Sequence, residues 1–497
     1  MPASVRSDNS LELPPTPPLT GPELRLRLIE VEEKETDLEL GLARLRIEKK
    51  QIFKGLDTLI YPILTLPPEI TSEIFLRYVD SPHFRYTHDP HHSPLRLASV
   101  CRAWRAVALS TQALWTHFYA GPNDIGGPAG EESLSRRLQV WLPRAGSLPV
   151  TLKMSLPTSA SKDMVLSILA RHSSQWRNLD LQSAEPFCFP IDSIRAPLSS
   201  LKKIQLNIDY LPLDGSGCIT AFFNAPQLRE AHLDRLSLSR ISLPWIQLTN
   251  LKLWGQSLSD CLEILDQTPN LESLDCAVSP APFWVTMPAP HVRTMIHLRT
   301  LHCMFDRDLK ILDHLMLPTL RQLELFDLTS EGHARVESLV ARSGCCVQSL
   351  YLGRTSLTQS YACLSTLHSL TEITMPSPTW SSGDFSEFFD WMAETGGLLP
   401  ALKSLNMDRC PAYIDICSLA TMLVARRKGR AGAAKLQSFR LSIEDHYLRE
   451  GRVEQALADL VELRAQGLKV DMHSLPKWAT ANINLQMMDE FNISGTV

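Results

Sequence analysis

Residues 228–276 read LREAHLDRLSLSRISLPWIQLTNLKLWGQSLSDCLEILDQTPNLESLDC. Three hexamers within that stretch, starting at Leu228, Leu248 and Leu271, share one pattern: an apolar residue, two variable ones, an apolar one, a variable one and an apolar one. The alternation at the end of each hexamer is that of a strand with one buried face. Between the second and third copies, SLSDCLEILDQ from Ser257 has helical spacing instead. The stretch therefore predicts an α/β fold in which short strands alternate with helices.

The same hexamer recurs as WRNLDL (176), LKKIQL (201), LRTLHC (298), LRQLEL (320), VQSLYL (347), LTEITM (370), LKSLNM (402) and LQSFRL (436), at steps of 20 to 34 residues. SKDMVLSILARH (161), ARVESLVARSG (334) and DICSLATMLVARR (415) are further helical segments between copies. One strand and one helix cannot bury their apolar faces alone, so neighbouring units must stack and share a core. Residues 150–445 resemble the leucine-rich repeat family in these features, without the Asn that regularly follows the strand in its best-ordered members. The resemblance implies an irregular solenoid over residues 130–445, with parallel strands, leucines inside and the variable residues on a concave face. A helix from about Asp445 to Ala465 and a strand Leu468–Met472 read as a C-terminal cap within residues 446–497.

Upstream, LPPEITSEIFLRYV runs from Leu66 to Val79 and LRLASVCRAWRAVALSTQALW from Leu95 to Trp115. Ile70, Ile74 and Phe75 repeat at helical intervals behind a Pro-Pro helix start. Leu97, Val100, Cys101 and Trp104 form the stripe of a second helix, with Arg96, Arg102 and Arg105 outside it. Two short helices with such stripes need each other and a partner. The order Leu66-Pro67, Glu69-Ile70, Ile74-Phe75, Val100-Cys101, Trp104, Leu114-Trp115 resembles the F-box over residues 64–120. That resemblance implies docking onto the Skp-type adaptor of a cullin ubiquitin ligase. It assigns Leu66, Pro67, Ile70, Ile74, Phe75, Val100, Cys101, Trp104, Leu114 and Trp115 as the adaptor-binding set. The segment Asp80–Pro94 is longer than a compact F-box needs and carries His83, His88, His91 and His92. With no Cys or carboxylates converging on them, these are not expected to bind a metal.

Residues 1–22 are Pro- and Ser-rich without periodicity, a composition that predicts disorder. Residues 23–61 predict a coiled-coil-like helix, with apolar residues at Leu24, Leu28, Val31, Leu38, Leu42, Leu45, Ile52, Leu56 and Leu59 in alternating steps of four and three. Self-association through residues 24–59 is one use of such a seam, folding back onto the same chain another. Glu35 and Lys49 interrupt the seam; Glu35 would face Glu35 in a parallel pair, whereas an antiparallel pair brings it near Lys49. ELPPTPPLT, from Glu12 to Thr20, resembles the phosphodegrons read by WD-repeat F-box receptors, which makes Thr16 and Thr20 candidate regulatory sites.

A net charge of -5 over 497 residues leaves no basic excess for nucleic acid, and no uncharged run is long enough to span a membrane. The N-terminus has no signal-peptide core, which predicts a cytoplasmic or nuclear chain whose eleven cysteines are thiols. Arg426, Arg427, Lys428 and Arg430 suit a nuclear address or, better, the solvated end of a repeat helix. HExxH, GxxxxGK, GxSxG and GxGxxG are all absent. No catalytic residue and no cofactor are expected. The order of coiled helix, LPPEI, VCRAW, WLPRAG and irregular repeats resembles the F-box-like proteins of mushroom-forming basidiomycete fungi. It implies a non-catalytic substrate receptor that joins the adaptor and cullin to a protein target, or a scaffold without ligase function. The target would meet an exposed patch of Trp254, Met304, Phe326 and Tyr351 on the concave face.

Overall fold

A computed structural model describes residues 20–57, 62–79, 93–158, 161–184, 194, 198–208, 219–279, 291–304, 309–376, 380–394, 399–410, 414–428, 434–443 and 453–473. They divide into two compact units. One comprises residues up to Tyr78 together with Leu95–Ala108; the other comprises Val79–Pro94 and everything from Leu109 onward.

In the first unit, α1 (Gly21–Asp57) is one continuous helix, and every residue from Gly21 to Leu56 is exposed except the half-buried Gly41. α2 (Pro68–Val79) starts on a proline, whose missing N–H has no partner to lose at a helix start. The stripe Leu97–Trp104, expected in a single helix, is divided between α3 (Pro94–Val100) and α4 (Arg102–Ser110). Cys101 is the reason for the break, because it caps α4. Its Sγ accepts the Trp104 N–H at 3.5 Å and its carbonyl accepts the Arg105 N–H at 3.0 Å. Arg105 then ties the two helices together by donating from Nε to the Ala98 carbonyl at 2.8 Å.

The second unit opens with β1 (His117–Ala120), α5 (Gly127–Arg144), β2 (Val150–Ser155), α6 (Ser161–Arg171), β3 (Trp176–Ser183) and β4 (Lys203–Ile208). β5 (Glu230–Asp234), β6 (Asn250–Trp254), α7 (Leu258–Asp266) and β7 (Ser273–Ala277) follow. β8 (Arg293–Thr294) and β10 (Leu315–Met316) pair with each other on either side of β9 (Thr300–Cys303) in the sequence. Then come β11 (Gln322–Phe326), α8 (Ser330–Ser343), β12 (Ser349–Gly353), α9 (Leu357–Thr366), β13 (Glu372–Pro376) and α10 (Ser382–Glu394). β14 (Ser404–Cys410), α11 (Ile416–Lys428), β15 (Ser438–Ile443), α12 (Val453–Ala465) and β16 (Lys469–His473) complete it. Apart from β8 and β10, the strands form one fourteen-stranded parallel sheet in chain order, so the fold is a solenoid-like α/β repeat.

All eleven hexamers lie in that sheet. Register places Leu179, Ile204, Ala231, Leu251, Leu274, Leu301, Leu323, Leu350, Ile373, Leu405 and Phe439 in one row, and every one of them is buried. Each large side chain in the row, all but Ala231, contributes roughly 1.5–3 kcal/mol of apolar burial, which is what holds the register. The sheet extends beyond the expected residues 130–445 at both ends. β1 adds Phe118 and Ala120 before it, and after it the strand expected over Leu468–Met472 is β16, which joins the ladder beside β15. Four residues of strand were too short a pattern to detect at His117. Helices α5, α9 and α10 were likewise unforeseen.

The irregular repeats share a device at the strand ends. Arg235, Gly255, Asp327 and Arg354, each the residue directly after a strand, have φ between 52° and 75°. Turning left-handed there lets the N–H groups of Arg235, Gly255 and Asp327 reach the next strand, at Trp254, Ala277 and Gly353 carbonyls 2.7, 2.9 and 3.0 Å away. Arg426 corrects another expectation: it is not solvated but buried, donating to the Met392 and Leu399 carbonyls at 2.8 and 3.3 Å and thereby holding the end of α10.

Gly255 is the position where this device leaves no freedom, since an added Cβ would sit 2.7 Å from Arg235 Cγ at a φ of +75°. Gly255→Ala should destabilise the chain by about 1–2 kcal/mol, read as a lower urea midpoint at unchanged m value.

Candidate protein-interaction faces

The first face lies on α2 and its neighbours in the first unit. Helical spacing gives α2 two sides: Thr71 and Phe75 are buried, whereas Ile70, Ile74 and Tyr78, one turn apart, are exposed. Phe75 packs against the half-buried Trp104 with ring centroids 4.9 Å apart, so these two support the helix pair from within. Leu64, Leu66, Leu95 and Val100 are exposed as well, Val100 at 61%. Large apolar side chains left in water at this density on one short module mark a protein-binding surface.

Of the ten residues assigned to the adaptor, Leu66, Pro67, Ile70, Ile74 and Val100 are exposed, Cys101 and Trp104 half-buried, and Phe75 buried. Leu114 and Trp115 lie in the core of the second unit, 2% and 0% exposed, in a short 3-10 turn, Gln112–Trp115. Trp115 stacks edge-on with Trp141 at 4.8 Å and lies under the Arg144 guanidinium at 4.4 Å, while its carbonyl accepts the Trp141 indole N–H at 2.8 Å. Trp141 and Arg144 come from the WLPRAG segment, so that segment is the packing partner of the motif's last residue, Trp115.

The second face is the open side of the sheet. Register aligns Lys252, Asp275, His302, Glu324 and Tyr351 on consecutive strands of the sheet. Asp275, 5% exposed, gathers partners from both sides: Lys252 Nζ at 2.8 Å, the Trp254 indole N–H at 3.2 Å and His302 Nδ1 at 3.4 Å. Burial alone would raise its carboxyl, but the hydrogen bonds and charges of His302 and Lys252 outweigh it and pull the value down to about 2. His302 Nε2 lies 3.1 Å from Glu324 Oε2, extending the row. His232, edge-on to Trp254 at 4.7 Å, is pushed down to about 4 by burial first and by the Lys252 charge second, against the pull of Asp275.

Trp254, Met304, Phe326 and Tyr351 are all half-buried on this face. Phe326 contacts Tyr351 at 5.0 Å and His302 at 5.6 Å, whereas Trp254 is joined to His232 and Asp275. Gly353 makes the first grouping and was missed in the sequence. It pairs with Phe326 across the strands, and a Cβ there would stand 2.7 Å from the Phe326 ring, so its absence is what lets the ring lie flat over the backbone. A Gly within an alternating strand was the available signal.

Thr20 directly precedes α1, and its backbone N–H and Oγ1 donate to the Glu23 carboxylate at 2.8 and 2.7 Å, which holds that carboxyl below its ordinary value. Thr16 and the His83–His92 histidines lie outside the described residues. Among the described residues no group of three or more His, Cys, Asp or Glu side chains is arranged to hold a metal ion, nine cysteines are free, and no helix is long and apolar enough to cross a membrane.

Residues 63–120 match the F-box-like family model. The chain thus carries an F-box-like domain, a protein-interaction module, followed by a region of parallel strands alternating with helices. No curated protein matches the chain.

The pH response of the open face follows from His232. An unfolded His titrates near 6.5 and this one near 4, so the unfolded chain binds the extra proton between those values. Stability that His232 leaves intact above pH 6.5 is therefore lost as the pH falls toward 4, by about 1–2 kcal/mol, with Asp275 adding a further loss below about 3.8. His232→Phe should flatten the upper part of this slope in urea midpoints measured from pH 7 to pH 4.5.

Proposed function

We propose that the chain is the substrate-recognition subunit of a Skp/cullin/F-box ubiquitin ligase. The observation that carries the proposal is the uncovered apolar stripe Ile70, Ile74 and Tyr78, with Val100, on a domain that matches the F-box-like model. These side chains are the adaptor's docking surface, with Phe75 and Trp104 as the buried support behind it. A protein target binds the open face of the sheet, anchored by the Phe326–Tyr351 ring pair beside the charged row at Asp275. Rigid aromatic rings next to fixed charges give a binding surface both area and direction at low entropic cost. Ubiquitin transfer is then a matter of proximity: the receptor raises the local concentration of a target lysine near a charged conjugating enzyme, and no residue of this chain takes part in the chemistry. On this proposal the protein acts in the cytoplasm or the nucleus.

Because Ile74 and Val100 are exposed, replacing them barely affects folding, which separates binding from stability. Ile74→Asp/Val100→Asp should weaken binding of purified Skp-type adaptor by about 30-fold or more, with the melting temperature within a few degrees of the native chain. The native chain should co-purify with both adaptor and cullin. Adaptor recovered without cullin would instead define a scaffold, and unchanged adaptor binding by the double variant would remove this surface from the interface.

A further inference from the structure

Helix α1 carries an apolar seam that nothing in the described chain covers. Its eight apolar seam residues, Leu24, Leu28, Val31, Leu38, Leu42, Leu45, Ile52 and Leu56, are between 47% and 74% exposed along a continuous helix of 37 residues. A helix of that length with a bare seam is stable in water chiefly when another helix lies along it. The other large apolar residues, Leu26, Ile29, Leu40, Ile47 and Phe53, form no second continuous seam, because Glu33, Thr36, Lys50 and Lys54 interrupt the row of Leu26, Ile29, Leu40 and Ile47, and Phe53 lies off it.

We propose that α1 pairs with α1 of a second copy of this chain as an antiparallel two-stranded coiled coil centred between Leu38 and Leu42. In that register every seam position finds a partner within the helix. Leu24 meets Leu56 of the second copy, Leu28 meets Ile52, Val31 meets Lys49, Glu35 meets Leu45 and Leu38 meets Leu42, each pair occurring twice about the two-fold axis.

Charge decides the direction. Glu30, Glu32, Glu33, Glu35, Asp37 and Glu39 crowd one half of the helix with only Lys34 among them, while Arg44, Arg46, Lys49, Lys50 and Lys54 crowd the other with only Glu48. A parallel in-register pair stacks acid on acid and base on base, and places Glu35 against Glu35 and Lys49 against Lys49 inside the seam. The antiparallel register lays the acidic half over the basic half. It brings Glu35 within one seam layer of Lys49 of the second copy, and sets Glu32 and Lys34 across from Arg46 and Glu48. The one like-charged contact it makes at the flanks is Glu39 with its own copy. A dimer built this way gives each complex two F-box-like domains and two open sheet faces, which strengthens capture of a target offering two sites.

The inference stands apart from the adaptor reading and is tested without adaptor. Sedimentation velocity is run on the full chain at roughly 10 μM, a concentration at which micromolar association is visible, with Glu35→Lys, Lys49→Glu and the double exchange alongside. The native chain should be dimeric. Each single reversal should weaken the dimer by about tenfold or more, because like charges then meet at both ends of the seam, and the double exchange should restore it to within about threefold. Since α1 is exposed throughout, the thermal unfolding of the repeat region should be the same in all four proteins. A native monomer, an assembly larger than a dimer, single reversals without effect, or a double exchange that stays weak would each overturn the antiparallel pairing.

Discussion

Parallel register is the constraint on which the second unit depends. A parallel ladder has no tight turn to set its alignment, and slipping by one residue would turn every leucine outward. Here the buried row from Leu179 to Phe439 sets it, because its ten large side chains and Ala231 can share one core only when their strands are level. Left-handed residues at the strand ends follow from the same demand, redirecting the chain where the ladder must stop and the return segment must start.

Once the leucines are level, the residues between them are level too, and the open face acquires its chemistry as a by-product. Asp275 can draw on Lys252 and His302 only because the neighbouring strands hold those side chains at its own height. Burial by the same neighbours pushes the proton affinity of the His232 ring down, whereas at Asp275 the hydrogen bonds and charges of His302 and Lys252 overcome burial and hold the carboxyl low. Phe326 and Tyr351 meet through the same alignment, helped by the missing side chain of Gly353.

The F-box-like domain works by a different division of labour. Its helices turn Thr71, Phe75, Leu97 and Ala98 inward and leave Ile70, Ile74 and Val100 out, so a few residues serve folding and a few serve recognition. Trp115 shows how sequence motifs blur that distinction, since its place at the end of the pattern made it look like an anchor while its contacts with Trp141 and Arg144 make it core.

Periodicity determined much of this protein from the sequence alone. The eleven hexamers announced a stacked α/β repeat, the helical stripes announced the module before it, and the heptad spacing announced α1, because each pattern is a local consequence of which side chains avoid water. Tertiary structure decided what local pattern does not carry. It divided the helix at Cys101, buried Arg426, drew Leu114 and Trp115 into the repeat core, extended the sheet to His117, and set Phe326 against Tyr351 over Gly353. Except for the division at Cys101, which rests on bonds within one or two helical turns, each of those outcomes depends on a neighbour some twenty or more residues away, and such relations come into being only when the units stack.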